Sequence, residues 1–193
     1  MGEKKIVGLA LCGSYCSYDK VFAAAGVLAE KYELIPIMSG TAAATDSRFG
    51  MAEENMRRLA ELTGHADVVT TIAAAEPLGP ARPMDALLIA PCTGNTLAKL
   101  AHGITDSAVT MAAKAHLRNG RPLVLAISTN DGLSGSAENI ARLLNRKSVY
   151  FVPFGQDDPA KKPCSLQADF SLMYASVEAA MAEAQLQPIL TAK

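Results

Sequence analysis

The chain has 193 residues, half of them hydrophobic, 19% charged and 5% aromatic with no Trp, a length and composition that suit one domain with a sizeable buried core. Its formal net charge of −1 gives no electrostatic case for nucleic acid or an anionic membrane surface, so a small molecule is the default ligand. No apolar run approaches a membrane span and the charged stretch Met1 to Lys5 leads straight into a strand-like run rather than a signal peptide, so the expected location is the cytoplasm.

Lys5 to Leu11 reads as a first buried strand, and Cys12 to Ser17 as a small-residue turn before a helix over Tyr18 to Lys31. Strand, glycine turn and helix together aim backbone N–H groups at a phosphate. Only Gly13 stands in this turn, so the dinucleotide fingerprint is absent, and the same residues also read as an ordinary βα turn with Ser14 as a cap. Glu33 to Met38 is a second strand ending in Ser39-Gly40-Thr41, and a right-handed crossover sets its end beside that of the first. Both hydroxyls also suit plain loop hydrogen bonding. Ala42 to Asp46 reads as a flexible loop, and Phe49 to Leu62 as a helix with Met51, Met56, Leu59 and Leu62 on its apolar side. Asp67 to Ile72 is a short strand or an extended connection; the proline-rich Glu76 to Pro83 cannot be regular helix.

Leu87 to Ala90 is a short apolar run ahead of a proline, the pattern of a strand buried on both faces. Thr93, Asn95 and Thr96 can cap a helix beginning near Leu97, whose free N–H groups suit an anion or a polar ring edge. Gly103 ends that helix, and Thr105-Asp106-Ser107 offers caps for a second over Ala108 to Leu117. Leu123 to Ile127 is the next strand, followed by the turn-like Ser128 to Leu133. A helix over Ala137 to Asn145 leads to a last strand over Val149 to Phe154. Gly155 to Pro163 reads as a polar loop or lid. Its Lys161 and Lys162 suit either a dicarboxylate or a solvated surface. Ser165 to Ala184 reads as a final helix with Leu166, Phe170, Met173, Val177 and Met181 on one stripe, and Gln185 to Lys193 as a tail packing on a neighbour.

Five or six strands alternating with helices specify an α/β fold, a single-domain doubly wound parallel sheet, Rossmann-like, with ligands bound at the carboxyl ends of the strands. Cys12, Cys16, Cys92 and Cys164 have neither C-x-x-C spacing nor histidines at zinc-ligand intervals, so reduced thiols are expected and no metal site. His65, His102 and His116 are assigned solvated or packed structural roles.

The segment Ala90 to Ser107, APCTGNTLAKLAHGITDS, resembles without gaps the APASANTIAKIAHGIADN signature of the flavin-mononucleotide proteins that include cysteine-peptide and phosphopantothenoylcysteine decarboxylases. Cys92 and Gly94 depart from it, standing where that family usually has Ala. With TDSRFG, AEPLGP, ISTNDGL and YFVPFGQDDPAKKP, nearly the whole chain resembles one branch, the B subunits of dipicolinate synthases of spore-forming bacteria. The resemblance implies a flavoprotein fold and an FMN site with Gly13 and Ser14 at the phosphate, Thr93, Gly94, Asn95 and Thr96 near the ring, and further contacts from Ser39, Thr41 and Ala126. In the decarboxylases a catalytic His stands at or near the place of Pro77. Their APAMN loop, whose Asn contacts a substrate carboxylate, corresponds to Ala126 to Asn130, so Asn130 is the expected substrate contact; an Asn-Asp-Gly run is also an ordinary turn. No catalytic residue is assigned.

The branch implies oxidation of a dihydrodipicolinate to dipicolinate, pyridine-2,6-dicarboxylate, in the mother cell during sporulation. It also implies a dehydrogenase-like A subunit as partner, with NAD(P) bound on that subunit, and a trimer-based homo-oligomer. A stand-alone FMN-dependent decarboxylase and a non-catalytic accessory subunit that stabilises its partner are the competing readings.

Overall fold

The computed structural model describes residues 4–81 and 84–191. A seven-stranded sheet runs in the order β2, β1, β3, β4, β7, β6, with β5 also paired to β4. The strands are β1 (Ile6–Leu11), β2 (Glu33–Met38), β3 (Ala86–Cys92), β4 (Leu123–Thr129), β5 (Val149–Phe151), β6 (Phe154–Asp158) and β7 (Lys162–Ala168). Strands β1 to β5 are parallel, and all seven residues of β3 are buried. That explains its unbroken apolar run: helices cover both faces of a parallel sheet, so no face is left for polar residues. The order reverses between β1 and β3, which opens a crevice at the carboxyl ends of the two strands.

The helices are α1 (Tyr18–Lys31), α2 (Gly40–Ala44), α3 (Ala52–Thr63), α4 (Ile72–Ala75), α5 (Gly94–His102), α6 (Ala108–Leu117), α7 (Ala137–Leu144) and α8 (Met173–Met181). Helix α1 buries Val21, Phe22, Ala25 and Leu28, the spacing that puts one face on the sheet. Among the described residues no helix is long and apolar enough to cross a membrane.

Several sequence expectations are corrected, among them the last strand over Val149 to Phe154, which divides into β5 and the start of β6. Residues 40–44 are helical rather than a flexible loop, because the Ser39 side chain accepts the Ala42 N–H at 3.2 Å and caps α2. Helix α3 starts at Ala52 rather than Phe49: Ser47 and Gly50 exchange backbone bonds, and Asp46 accepts the Ala52 N–H at 2.9 Å. Phe49 and Met51 are consequently exposed.

The expected lid over Gly155 to Pro163 and the first part of the expected helix from Ser165 form the antiparallel hairpin β6–β7. Strand β7 pairs antiparallel with the end of β4, Ser128 and Thr129 opposite Gln167 and Leu166. Only Met173–Met181 is α-helical there. The tail as far as Thr191 packs on its own chain, Ala192 and Lys193 lying outside the described residues: Gln185 brackets Phe151, donating to its carbonyl at 2.7 Å and accepting its N–H at 2.8 Å. Phe154 and Leu190 then form a parallel bridge. The proline-rich stretch reads as expected, with a 3₁₀ turn over Glu76–Leu78; its Arg82 and Pro83 lie outside the described residues.

Candidate functional site

Two clefts open at the carboxyl ends of the strands and share Gly13 and Thr93. The larger, about 560 Å³, lies over β1, β2 and β3 and is lined by Gly13, Ser39, Thr41, Thr93, Asn95 and Thr96 among others. Thr70, Thr71 and Ile72 close one side, and Lys99, Asp106 and Ser107 the other. The smaller, about 330 Å³, lies over β4 and the hairpin and is lined by Ser14, Cys16, Asn130, Lys162 and Gln167, with Phe49 at its edge. Their volumes fall within the roughly 300–1,000 Å³ typical of small-molecule sites.

Each wall has a local cause. Thr93 caps α5, its Oγ1 accepting the Thr96 N–H at 3.3 Å, so the helix begins at Gly94 rather than near Leu97, Asn95 and Thr96 lie in its first turn rather than capping it, and that turn is held against the cleft. Gly103, at φ +71°, takes the left-handed conformation that ends α5. Ser107 and Thr110 form a reciprocal capping box that starts α6. Thr96 Oγ1 donates to the Cys12 sulfur at 3.3 Å and ties α5 to β1. Burial pushes the Cys12 thiol up to about 11 against the lesser opposing effect of that hydrogen bond, so it packs as a neutral group. Lys99 pairs with Asp106 at 2.9 Å, which leaves the larger cleft polar rather than strongly cationic.

A hydroxyl chain joins the two halves of the site. Ser128 Oγ lies 2.7 Å from Ser14 Oγ and 2.9 Å from Ser17 Oγ, so the end of β4 is tied to the turn after β1. Lys20 donates to Gln167 at 3.0 Å, and Gln167 lies on β7. Lys162, also on β7, pairs with Asp157 across the hairpin at 2.7 Å. Sequence reasoning missed Ser128, Gln167 and the hairpin wall, because their place in the site depends on the pairing of β7 with β4.

Of the residues assigned to a cofactor, Gly13, Ser39, Thr41, Thr93, Asn95 and Thr96 meet in the larger cleft. Ser14 lines the smaller one, together with Asn130, the expected substrate contact. Two stand elsewhere. Ala126 is fully buried within β4. Gly94 backs onto the loop after β4: a Cβ there would lie 2.6 Å from Ser136 Oγ, 2.7 Å from Thr129 Oγ1 and 2.9 Å from Asp131 Oδ1. Asp131 accepts from Thr129 at 2.5 Å and from Ser136 at 2.8 Å. These bonds, Thr129 foremost, hold its carboxyl below the usual carboxylate range. Pro77 sits in the turn after α4 and offers no titratable group. Among the described residues no group of three or more His, Cys, Asp and Glu is placed to hold a metal ion.

His116 is buried, and its Nε2–H donates to the Pro122 carbonyl at 2.8 Å. Burial pulls its pKa down to about 4, which keeps the imidazole neutral and structural.

A family model described as Flavoprotein matches residues 1–179. The dipicolinate synthase B subunit of Bacillus subtilis (strain 168) is 46% identical over 187 residues, 96% of this chain and 93% of that protein. The crystal structure of the dipicolinate synthase B subunit from Bacillus halodurans superposes with a TM-score of 0.90 at 42% identity, covering 99% of this chain and 98% of that one. The FMN-dependent cysteine decarboxylase SpaF, at 23% identity and a TM-score of 0.63 over 93% of this chain and 96% of its own, shares the fold. With a flavoprotein model over most of its length and a relative of this identity over nearly all of it, the chain belongs to the flavoprotein family, on the branch of the dipicolinate synthase B subunits.

Proposed function

We propose that this chain is the B subunit of a dipicolinate synthase, in which FMN occupies the larger cleft and the dihydropyridine dicarboxylate the smaller one. The observation that carries this reading is the junction of the two clefts at Gly13 and Thr93, which brings a flat cofactor and a small dicarboxylate edge to edge.

The residues present fit FMN. A Cβ on Gly40 would meet nothing within 4 Å, and one on Gly13 would meet only the Tyr15 side chain, at 3.7 Å or more, so the backbone of both turns lies open to the cleft. Open backbone N–H groups beside helix starts suit a phosphate. The backbone of Gly13 and Gly40 would hold it, Ser14 lining the smaller cleft instead, while Asn95 and the hydroxyls of Thr93 and Thr96 would meet the polar ring edge. FMN, when bound, supplies a two-electron acceptor.

Aromatisation of the dihydropyridine takes one hydride and one proton from the ring. Both carboxylates stay in place, so this chain's contribution is to hold them. Asn130 donates to one carboxylate, and Lys162 turns from Asp157 to meet the other. The hydride would need an acceptor, which FMN in the larger cleft or a nicotinamide on the A subunit would supply. Pro77, where the decarboxylases carry a catalytic His, disfavours stand-alone decarboxylation.

The exposed apolar side chains of Phe49, Ile72 and Leu133, the first two lining the clefts, suit cover by the A subunit or by further copies in a trimer-based homo-oligomer. The cytoplasm of the mother cell is the corresponding location.

Titration of the purified protein with FMN, read by visible absorption, tests the reading. Saturable binding with a perturbed flavin spectrum is expected, followed by dipicolinate formation when the A subunit and substrate are added. Absence of flavin binding together with full synthase activity of the A subunit alone would overturn it.

A further inference from the structure

A third cleft, of about 350 Å³, is lined by residues of α5 and α6 and shares Lys99 with the larger cleft. Four basic side chains line it: Lys99 on α5, Lys114 on α6, Arg118 at the C-cap of α6, and Arg146 just beyond α7. Leu100, Ile104 and Leu117 supply an apolar wall. No acidic side chain lines it among the described residues. Arg146 is fixed in place, its Nη1 donating to the Leu100 carbonyl near the end of α5 at 3.1 Å. Lys114 and the C-cap Arg118 are one helical turn apart, the Arg118 N–H donating to the Lys114 carbonyl at 3.1 Å. Like charges so placed repel each other, a cost that an anion removes.

We propose that this cleft is a second ligand site, taking a small dicarboxylate with a flat apolar body. Arg118 and Arg146 present planar forks that match carboxylates, Lys114 adds a mobile charge, and the leucines and Ile104 cover the ring. Inorganic phosphate would use the charges and waste the apolar wall. The recognition argument stands on the cleft alone; it rests on the proposed function only in the choice of pyridine-2,6-dicarboxylate, the reaction product, as probe.

The site is linked to the flavin cleft through one residue. Lys99 lines both clefts and pairs with Asp106 at the edge of the larger. A dicarboxylate in the third cleft draws Lys99 away from Asp106 and leaves that carboxylate facing the larger cleft. Flavin and dicarboxylate therefore weaken each other's binding, reciprocally, which makes the third cleft a product-sensing site.

Calorimetric titration of the full-length protein with pyridine-2,6-dicarboxylate, and with phosphate at matched ionic strength, tests this. The wild type should bind the dicarboxylate more tightly than phosphate. The double variant Lys114→Ala/Arg118→Ala should lose about tenfold or more in affinity at one class of sites, with its FMN titration unchanged and its oligomeric mass intact. Asn130→Ala should leave that class untouched and affect only binding at the smaller cleft, so failure of the proposed function and failure of this site are read separately. Unchanged dicarboxylate binding in the double variant, equal affinity for phosphate, or a changed oligomeric mass in place of lost anion binding would each overturn the assignment.

Discussion

Gly94 stands so close to Asp131 that a Cβ on it would lie 2.9 Å from the carboxylate Oδ1. The first residue of α5 is thereby packed on the network that Asp131 makes with Thr129 and Ser136. This gives a physical reason for glycine where the resembling decarboxylases usually have Ala: the Asp131 network occupies the space a methyl group needs. Gly94→Ala should displace that network and cost about 1–3 kcal/mol, measured as a lower urea midpoint at unchanged m-value. Asp131→Ala should rescue part of the loss in the double variant, because it removes the carboxylate that the methyl group meets.

Stability should depend on pH through His116. Its folded-state pKa is pulled down to about 4 from the ordinary value of 6.5, so between those values the unfolded chain binds the extra proton. Stability is therefore intact above about pH 6.5 and falls as the pH drops toward 4, by on the order of 3 kcal/mol in all. Among the described residues the buried Nδ1 has no hydrogen-bond partner, so a proton there would be an unpaired buried donor. Urea unfolding at several pH values between 7 and 4.5 should show this slope in the wild type and a much flatter one in His116→Gln.

The four cysteines should differ sharply in reactivity. Cys16 is exposed, whereas Cys12 and Cys92 are buried and burial raises both thiols. Cys16 should react first with a thiol reagent in the native protein. Cys12 and Cys92 should react only on unfolding, and mass spectrometry of partly labelled protein reads the order.

Asn130 is exposed at the rim of the smaller cleft. Asn130→Ala should leave flavin affinity and the urea midpoint nearly unchanged while raising the KM for the dihydropyridine dicarboxylate in the reconstituted synthase by about tenfold. An equal loss of flavin binding would place Asn130 at the flavin instead.

Elements whose causes are local were legible from the residues alone. The buried runs of β1, β3 and β4, the Thr93 cap, the Gly103 stop and the Ser107 start all depend on residues within a few positions of one another, and they stand where hydrophobic pattern and cap chemistry put them. The remainder needed contacts between distant segments. Lys162 to Ala168 has no strong strand pattern and becomes a strand because the end of β4 offers unpaired backbone groups beside it. That pairing, between residues far apart in the chain, builds the wall of the smaller cleft and brings Gln167 and Lys162 to Asn130. Gly94 and Ala126 show the reverse: both lie in recognisable motifs, yet Gly94 backs onto the Asp131 loop and Ala126 is sealed within β4. A motif fixes where the backbone turns, and packing against distant segments fixes which side chains face the ligand.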